Sequence, residues 1–509
     1  MLKNLLRVGG WTLLSRITGF ARDILMAAIV GAGPLMDAFA VAFRLPNHFR
    51  AIFGEGAFSS AFVPAYARVR TQDGAPASDL FHGRVLSLLL TAQLALLVAA
   101  LIWTSGLVAL LAPGFAGKGG VFDLTVELTR ITFPYLLCMT LVTLWAAALS
   151  AEKRFSAAAA APILLNMAMI GTLAVAYLFK TPAHAAAWGV FIAGVLELTL
   201  LFVAARRAGV LVRPKWPTLA PDVRAFFKAF GPAVIGSAGV QLAMLADTVI
   251  VTFLPTGGAS ALYFADRLYQ LPVGVIGIAA GTVLLPEMAR LLAAGDEPAA
   301  HRAQNRAMGF TLLLAAPFVA AFLIIPDLIV AALFQRGNFD VAAGQAAAGV
   351  LMAYTIGLPA VVLIRSAVAS FTARGDTRTP LWASLTGIAC NLALKLLLWK
   401  PFGAAGLAFA TAIGAWINIG ILWFLALRGG KAGPDAALGR TLLVASGATL
   451  LLALAFLFLR GPAAGLAALW TPGFPRECTL LLLGLAGILT YGASAFVLSR
   501  LLKAPLARR

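Results

Sequence analysis

Val85-Leu-Ser-Leu-Leu-Leu-Thr-Ala-Gln-Leu-Ala-Leu-Leu-Val-Ala-Ala-Leu-Ile-Trp-Thr-Ser-Gly-Leu-Val-Ala-Leu-Leu111 runs for 27 residues without one charged side chain. As an α-helix it would rise about 40 Å, more than the roughly 30 Å of a bilayer's hydrocarbon core. Similar blocks recur at Ile163–Phe179, Leu312–Ile325, Thr441–Leu459 and Leu480–Leu498, and the 509-residue chain is 61% hydrophobic and only 12% charged. That composition excludes an ordinary soluble globule. Hydropathy and helix breakers predict an all-α polytopic membrane protein of about fourteen helices. They fall near 5–31, 34–64, 84–112, 123–151, 156–179, 184–205, 226–254, 258–290, 305–334, 341–373, 379–400, 404–427, 440–460 and 478–502.

A formal charge of +19 invites a nucleic-acid reading, but the cations are placed otherwise. With the N-terminus inside, alternate connections and both tails hold 25 Lys and Arg, against 6 on the opposite side: Lys118, Lys180, Arg336, Lys400, Arg460 and Arg476. This bias predicts cytoplasmic termini and makes most of the charge a topology signal, so no nucleic-acid partner is expected. Lys3 and Arg7 precede an apolar stretch, yet Arg16 and Arg22 interrupt it and no small-residue cleavage site follows. The segment therefore reads as an uncleaved first helix. Three cysteines, Cys138, Cys390 and Cys478, imply no disulfide framework. His48, His82, His184 and His301 are scattered without metal-ligand spacing.

The chain resembles itself when slid by about 223 residues. Ala38-Phe-Ala-Val-Ala-Phe-Arg44 falls on Ala261-Leu-Tyr-Phe-Ala-Asp-Arg267, Ala61-Phe-Val-Pro-Ala-Tyr-Ala-Arg68 on Val283-Leu-Leu-Pro-Glu-Met-Ala-Arg290, and Asn166 on Asn391. An even number of helices per copy gives both copies one orientation. The predicted architecture is two six-helix bundles, 1–210 and 222–430, joined by a polar segment containing Arg213-Pro-Lys-Trp-Pro217. Helices 13 and 14, within 436–509, have no counterpart in the repeat; they are either packing or the wall of a lipid-tail groove.

Of the 39 Lys and Arg, 8 lie more than three residues from either end of a predicted helix: Arg16, Arg22, Arg44, Arg50, Arg130, Arg267, Arg365 and Lys395. A charge at bilayer depth costs roughly 2.5–3.5 kcal/mol on insertion scales, so each must face water, a counter-charge or a ligand. Arg16 and Arg22 are six residues apart, about 120° around a straight helix, with Gly19 between them. Arg44 and Arg50 repeat the spacing around Pro46, so both helices are expected to be broken there. Asp23, Asp37 and Glu55 are the nearby acids. Arg44 reads as a salt-bridge partner of Asp37 or Glu55, whereas Arg16, Arg22, Arg50 and Arg267 read as a guanidinium set for phosphate or pyrophosphate oxygens. Asp247 and Lys395, the latter one turn after Asn391, read either as an interhelical ion pair or as a cation- or proton-coupling site. No nucleophile–base pair, Walker loop or dinucleotide fingerprint is present, so neither an enzyme nor a cofactor is expected.

Ser15-Arg-Ile-Thr-Gly-Phe-Ala-Arg-Asp23, Met36-Asp-Ala-Phe-Ala-Val-Ala-Phe-Arg-Leu-Pro-Asn47 and Phe53-Gly-Glu-Gly-Ala-Phe-Ser-Ser-Ala-Phe-Val-Pro64 resemble the MurJ (MviN) family of lipid II flippases. So do Tyr263-Phe-Ala-Asp-Arg-Leu-Tyr-Gln-Leu-Pro272 and Gly281-Thr-Val-Leu-Leu-Pro286. The resemblance spans all fourteen predicted helices and implies the multidrug/oligosaccharidyl-lipid/polysaccharide exporter fold, with alternating access. It implies lipid II, the undecaprenyl-pyrophosphate-linked peptidoglycan precursor, as cargo, handled by a monomer among membrane lipids of the bacterial inner membrane. The family's cavity arginines fall on Arg16, Arg22, Arg50 and Arg267, its nearby acids on Asp23, Asp37 and Glu55, and its added hairpin would hold the polyprenyl tail. Members with a bound cation would use Asp247, Asn391 and Thr411; Lys395 stands where an acid is expected, which puts sodium coupling in doubt and leaves the coupling ion open. The alternative cargo is another polyprenyl-linked saccharide, or a drug. A drug antiporter, however, would line its cavity with acids and aromatics to suit a cationic cargo.

Overall fold

The computed structural model describes residues 2–54, 57–430 and 433–504; within these, side chains at 2–6, 45, 48–54, 57, 233, 235–238, 240 and 277–283 lie outside the description. Every regular element among the described residues is helical: α1 (Leu2–Ile29), α2 (Pro34–Gly54), α3 (Ala57–Gln72), α4 (Gly74–Ile102), α5 (Thr104–Leu111), α6 (Val121–Thr132), α7 (Tyr135–Ala151), α8 (Ser156–Ala174), α9 (Pro182–Ala208), α10 (Pro221–Thr252), α11 (Gly258–Ala293), α12 (Glu297–Ile324), α13 (Pro326–Phe334), α14 (Val341–Thr355), α15 (Leu358–Ala373), α16 (Arg378–Arg428), α17 (Ala436–Trp470) and α18 (Pro475–Leu501). Nine segments among the described residues are long and apolar enough to cross a membrane. Large apolar side chains such as Ile102, Leu397, Phe458 and Leu489 stay exposed, as expected where the outer solvent is lipid. The chain is a multi-pass membrane protein.

Its contacts form two compact units, Met1–Ala259 with Gly337–Phe339, and Ser260–Arg336 with Asp340–Arg509. In the first, α8 packs on α9 and α1, α9 on α7, α2 on α6, and α10 on α3. Small residues make the closest approaches, as they do where lipid supplies no hydrophobic drive between helices. Ala183, Ala185, Ala186, Ala187 and Ala193 are buried along α9. A Cβ on Gly189 would come within 2.5 Å of the Thr172 hydroxyl, and one on Gly194 within 2.9 Å of the Tyr135 ring.

In the second unit α17 pairs with α18 and α12, while α14 and α15 both pack on α16. The 51 residues of α16 would make a rod of about 76 Å, far longer than a bilayer core. Gly403, with φ 55° and ψ −135°, breaks it instead. The two halves fold back on each other, so that a Cβ on Gly414 would lie 2.8 Å from Asn391 Cβ and 2.9 Å from the Gly387 carbonyl. The boundary predicted between 400 and 404 falls on this turn.

The expected breaks at Gly19 and Pro46 are not found. Helix α1 is continuous from Leu2 to Ile29, and Pro46 lies inside α2. Neighbouring groups can satisfy the backbone that Pro or Gly loosens within a membrane. At Gly19 the observed neighbour is Asn166, whose Nδ2 would lie 3.3 Å from a Cβ placed there.

Candidate functional site

The α1–α8 contact holds the most buried guanidinium of the predicted set among the described residues. Arg22 is 6% exposed and Asp23 3%. Arg22 Nε and Nη2 both donate to Asp23 Oδ1, at 3.1 and 2.7 Å, and Nη1 donates to Asn166 Oδ1 at 3.0 Å. Asn166 Nδ2 in turn donates to the Ser15 carbonyl at 2.9 Å and the Thr18 hydroxyl at 3.1 Å. One carboxamide thus fixes both a backbone turn of α1 and the fork of Arg22. The unneutralised cation expected at position 22 is corrected by this geometry: consecutive helical side chains do not face each other, but a long guanidinium can turn back onto its neighbour's carboxylate.

Arg16, half-buried on the same helix, has no ion-pair or hydrogen-bond partner among the described residues. Arg44 is also half-buried and forms no ion pair among them, so its expected bridge to Asp37 is not made. Glu55 and the Arg50 side chain lie outside the described residues. In the second unit, Arg267 lies with its guanidinium 4.7 Å from the Tyr263 ring centre, a cation–π contact one turn back along α11.

Asp37 is buried in the first turn of α2 and accepts the Gly257 amide at 2.7 Å. Nearby, Lys118 Nζ donates to the Thr252 carbonyl at 2.9 Å and to the Leu254 carbonyl, covering orphan acceptors at the C-terminal end of α10. Burial pushes the Lys118 ammonium below the ordinary lysine range, and the Asp37 carboxylate works against that fall.

Of the cation-coupling candidates, Asp247 is half-buried on α10 in the first unit. Asn391, Lys395 and Thr411 belong to the folded-back α16 of the second. Lys395 is buried, Asn391 packs against Gly414, and the Thr411 hydroxyl donates to its own helix at Leu407 O, 3.0 Å away. Among the described residues no three or more His, Cys, Asp and Glu side chains gather as a metal site.

The family model described as lipid II flippase MurJ matches residues 26–471. The chain belongs to the MurJ family. A relative from Rhizobium meliloti, described as a probable lipid II flippase MurJ, is 41% identical over 440 residues, covering 86% of this chain and 82% of its own. The lipid II flippase MurJ of Burkholderia cenocepacia is 35% identical over 84% of each chain. Among solved structures, an inward closed conformation of lipid II flippase MurJ aligns with a TM-score of 0.81 at 23% identity, over 97% of this chain and 99% of that one. An inward-facing multidrug resistance MATE transporter of the MOP superfamily aligns at 0.66 and 15% identity, over 82% of this chain and 95% of its own. At such identities the structural likenesses show the fold.

Two residues of this MurJ-family chain that escape sequence reasoning stand beside the predicted set. In the sequence Asn166 reads only as a repeat match. A carboxamide in the apolar helix 156–174 is itself the signal, since polar groups at that depth need partners. Lys118 reads as a loop charge, and nothing local in the sequence foretells its contact with carbonyls more than 130 residues away.

Proposed function

We propose that this chain is a lipid II flippase, carrying the precursor from the cytoplasmic to the periplasmic leaflet by alternating access. What supports the reading, beside family membership, is the α1 arrangement. Arg16 lacks a carboxylate among the described residues, and a turn and a half further on Arg22 is held rigidly by Asp23 and Asn166. In this reading Arg16 supplies net positive charge to the pyrophosphate while the Arg22 fork supplies directed N–H donors, with Arg50 and Arg267 completing the set and Asp23, Asp37 and Glu55 tuning it. Guanidinium groups match phosphate oxygens in bidentate geometry.

The headgroup enters the inward-open state, the tail stays in lipid along the 436–509 hairpin, and closure of one side with opening of the other moves the headgroup across. The bundles 1–210 and 222–430 would be the moving bodies, the protein acting as a monomer in the bacterial inner membrane with both termini cytoplasmic. Asp247, Asn391, Lys395 and Thr411 are the candidates for ion coupling. A drug carrier is the weaker reading, because cationic cargo does not suit a site built from arginines.

The test replaces Arg16, Arg22, Arg50 and Arg267 singly by Ala in cells depleted of their own flippase, following growth and the sidedness of lipid II. Loss of growth with cytoplasmic accumulation of the lipid is expected for Arg16→Ala and Arg22→Ala. Normal growth with all four variants would overturn the pyrophosphate clamp. Labelling of single cysteines placed at Ala75 and Gly473 checks the orientation, with Ala75 expected to be shielded in intact cells and Gly473 to be reached from outside.

A further inference from the structure

A cavity of about 380 Å³ opens in the second unit between α13, α14, α17 and α18, and none of the proposed pyrophosphate set lines it. Its volume falls within the roughly 300–1,000 Å³ typical of small-ligand sites. Its polar wall consists of Arg460, Arg476, Asp327, Gln335, Gln345 and Thr479, and its remaining lining is mostly aliphatic.

The charges do not balance. Arg460 engages Asp327 through both ends of its fork, with Nη1 3.3 Å from Oδ1 and Nη2 on Oδ2. Arg476, by contrast, donates to a neutral acceptor, Gln335 Oε1 at 3.0 Å, and has no carboxylate partner among the described residues. Just outside, Arg336 is matched by Glu477 at 3.1 Å. The lining therefore carries one positive charge in excess, next to the first turn of α18, whose amide dipoles also favour an anion.

Depth and surroundings choose the source of that anion. Arg460 stands 24 residues beyond Ala436 on α17, about 36 Å along the axis, so it lies near the membrane interface opposite the start of that helix. The adjoining outer faces are apolar: Phe458 is 75% exposed, Leu481 68% and Trp470 69%. A soluble phosphate would gain nothing from these faces, whereas acyl chains would lie against them.

We propose that this cavity binds the phosphodiester headgroup of an anionic membrane lipid, with Arg476 as its principal cation, and so ties α13 and α14 to the α17–α18 hairpin. The site is independent of the flippase reading. The test is native mass spectrometry of the full-length protein from nanodiscs of phosphatidylglycerol and phosphatidylcholine in equal parts. Wild type is expected to keep one phosphatidylglycerol that Arg476→Gln loses, with apparent affinity falling about tenfold, while Arg476→Lys keeps most of it. A second readout is the melting temperature, which phosphatidylglycerol should raise more in wild type than in Arg476→Gln. Equal retention and equal shifts in wild type and Arg476→Gln would overturn the site. Displacement of the bound lipid by about 10 mM inorganic phosphate, competing by mass action, would overturn the lipid assignment in favour of a soluble anion.

Discussion

Asn166 Oδ1 accepts a hydrogen bond from Arg22 Nη1 at 3.0 Å while its Nδ2 holds the Ser15 carbonyl and Thr18 hydroxyl of the same helix. The side chain of α8 therefore controls both the shape of α1 at Gly19 and the direction of the Arg22 fork. Asn166→Ala removes all of these bonds and leaves a buried charge short of one acceptor. With neutral hydrogen bonds contributing about 0.5–1.5 kcal/mol and charged ones about 1.5–3, the two neutral bonds and one charged bond give an expected loss of about 2.5–6 kcal/mol. Melting of the purified protein should show it, and flipping measured on folded protein should fall as well. Unchanged melting and unchanged lipid II sidedness would mean that Asn166 holds nothing of consequence.

Arg22→Lys separates charge from geometry. An ammonium on a flexible stem cannot reproduce a fork that meets Asp23 with Nε and Nη2 and Asn166 with Nη1. Arg22→Lys is expected to support growth hardly better than Arg22→Ala, whereas Arg16→Lys should keep much of its function, since Arg16 has no such fixed partners among the described residues. Equal growth of the two lysine variants would argue that only the charge at position 22 matters.

Nine spans among the described residues are legible in the sequence because they announce themselves by apolar length, and the turn at Gly403 falls at the boundary predicted between 400 and 404; α1, α2, α10 and α11 carry charges and do not stand out in this way. The predicted breaks in α1 and α2 are not found; for α1, local propensity says nothing of the carboxamide that α8 brings to Gly19. The site divides the same way. Arginines stand out inside apolar helices, so their positions are readable. Their compensation is only partly so: Asp23 adjoins Arg22 in the chain, but Asn166 lies 144 positions away and Gly257 lies 220 positions from Asp37.

Gly403→Ala probes the turn that makes two spans of α16. Its backbone, at φ 55° and ψ −135°, is in a region closed to residues with a Cβ, and no neighbouring atom lies within 4 Å of a Cβ placed there. The effect should therefore be strain alone, on the order of 1–3 kcal/mol, seen as lower melting temperature in detergent. An unchanged melting temperature would show that the turn relaxes without cost.

Asp37→Asn tests the corner where the Gly257 amide and the Lys118 ammonium meet one carboxylate's field. The carboxamide oxygen introduced by this substitution can still accept from Gly257, so the hydrogen bond at 2.7 Å has a replacement, but the negative charge that opposes the fall in the Lys118 pKa is gone. The folded-state pKa of Lys118 already lies below the ordinary 10.5, so in the alkaline window between those two values the unfolded chain holds more protons and stability rises with pH. Below that window the cost of burying the ammonium is fully present in wild type and variant alike, and it is larger without the carboxylate. The expected outcome is lower stability for Asp37→Asn at neutral pH and an alkaline rise that begins at lower pH than in wild type, with Lys118→Met abolishing the difference between the two backgrounds. Melting curves of the four proteins across about pH 7 to 11, the range in which lysines titrate, would show it, and parallel curves would mean that Asp37 and Lys118 are not coupled.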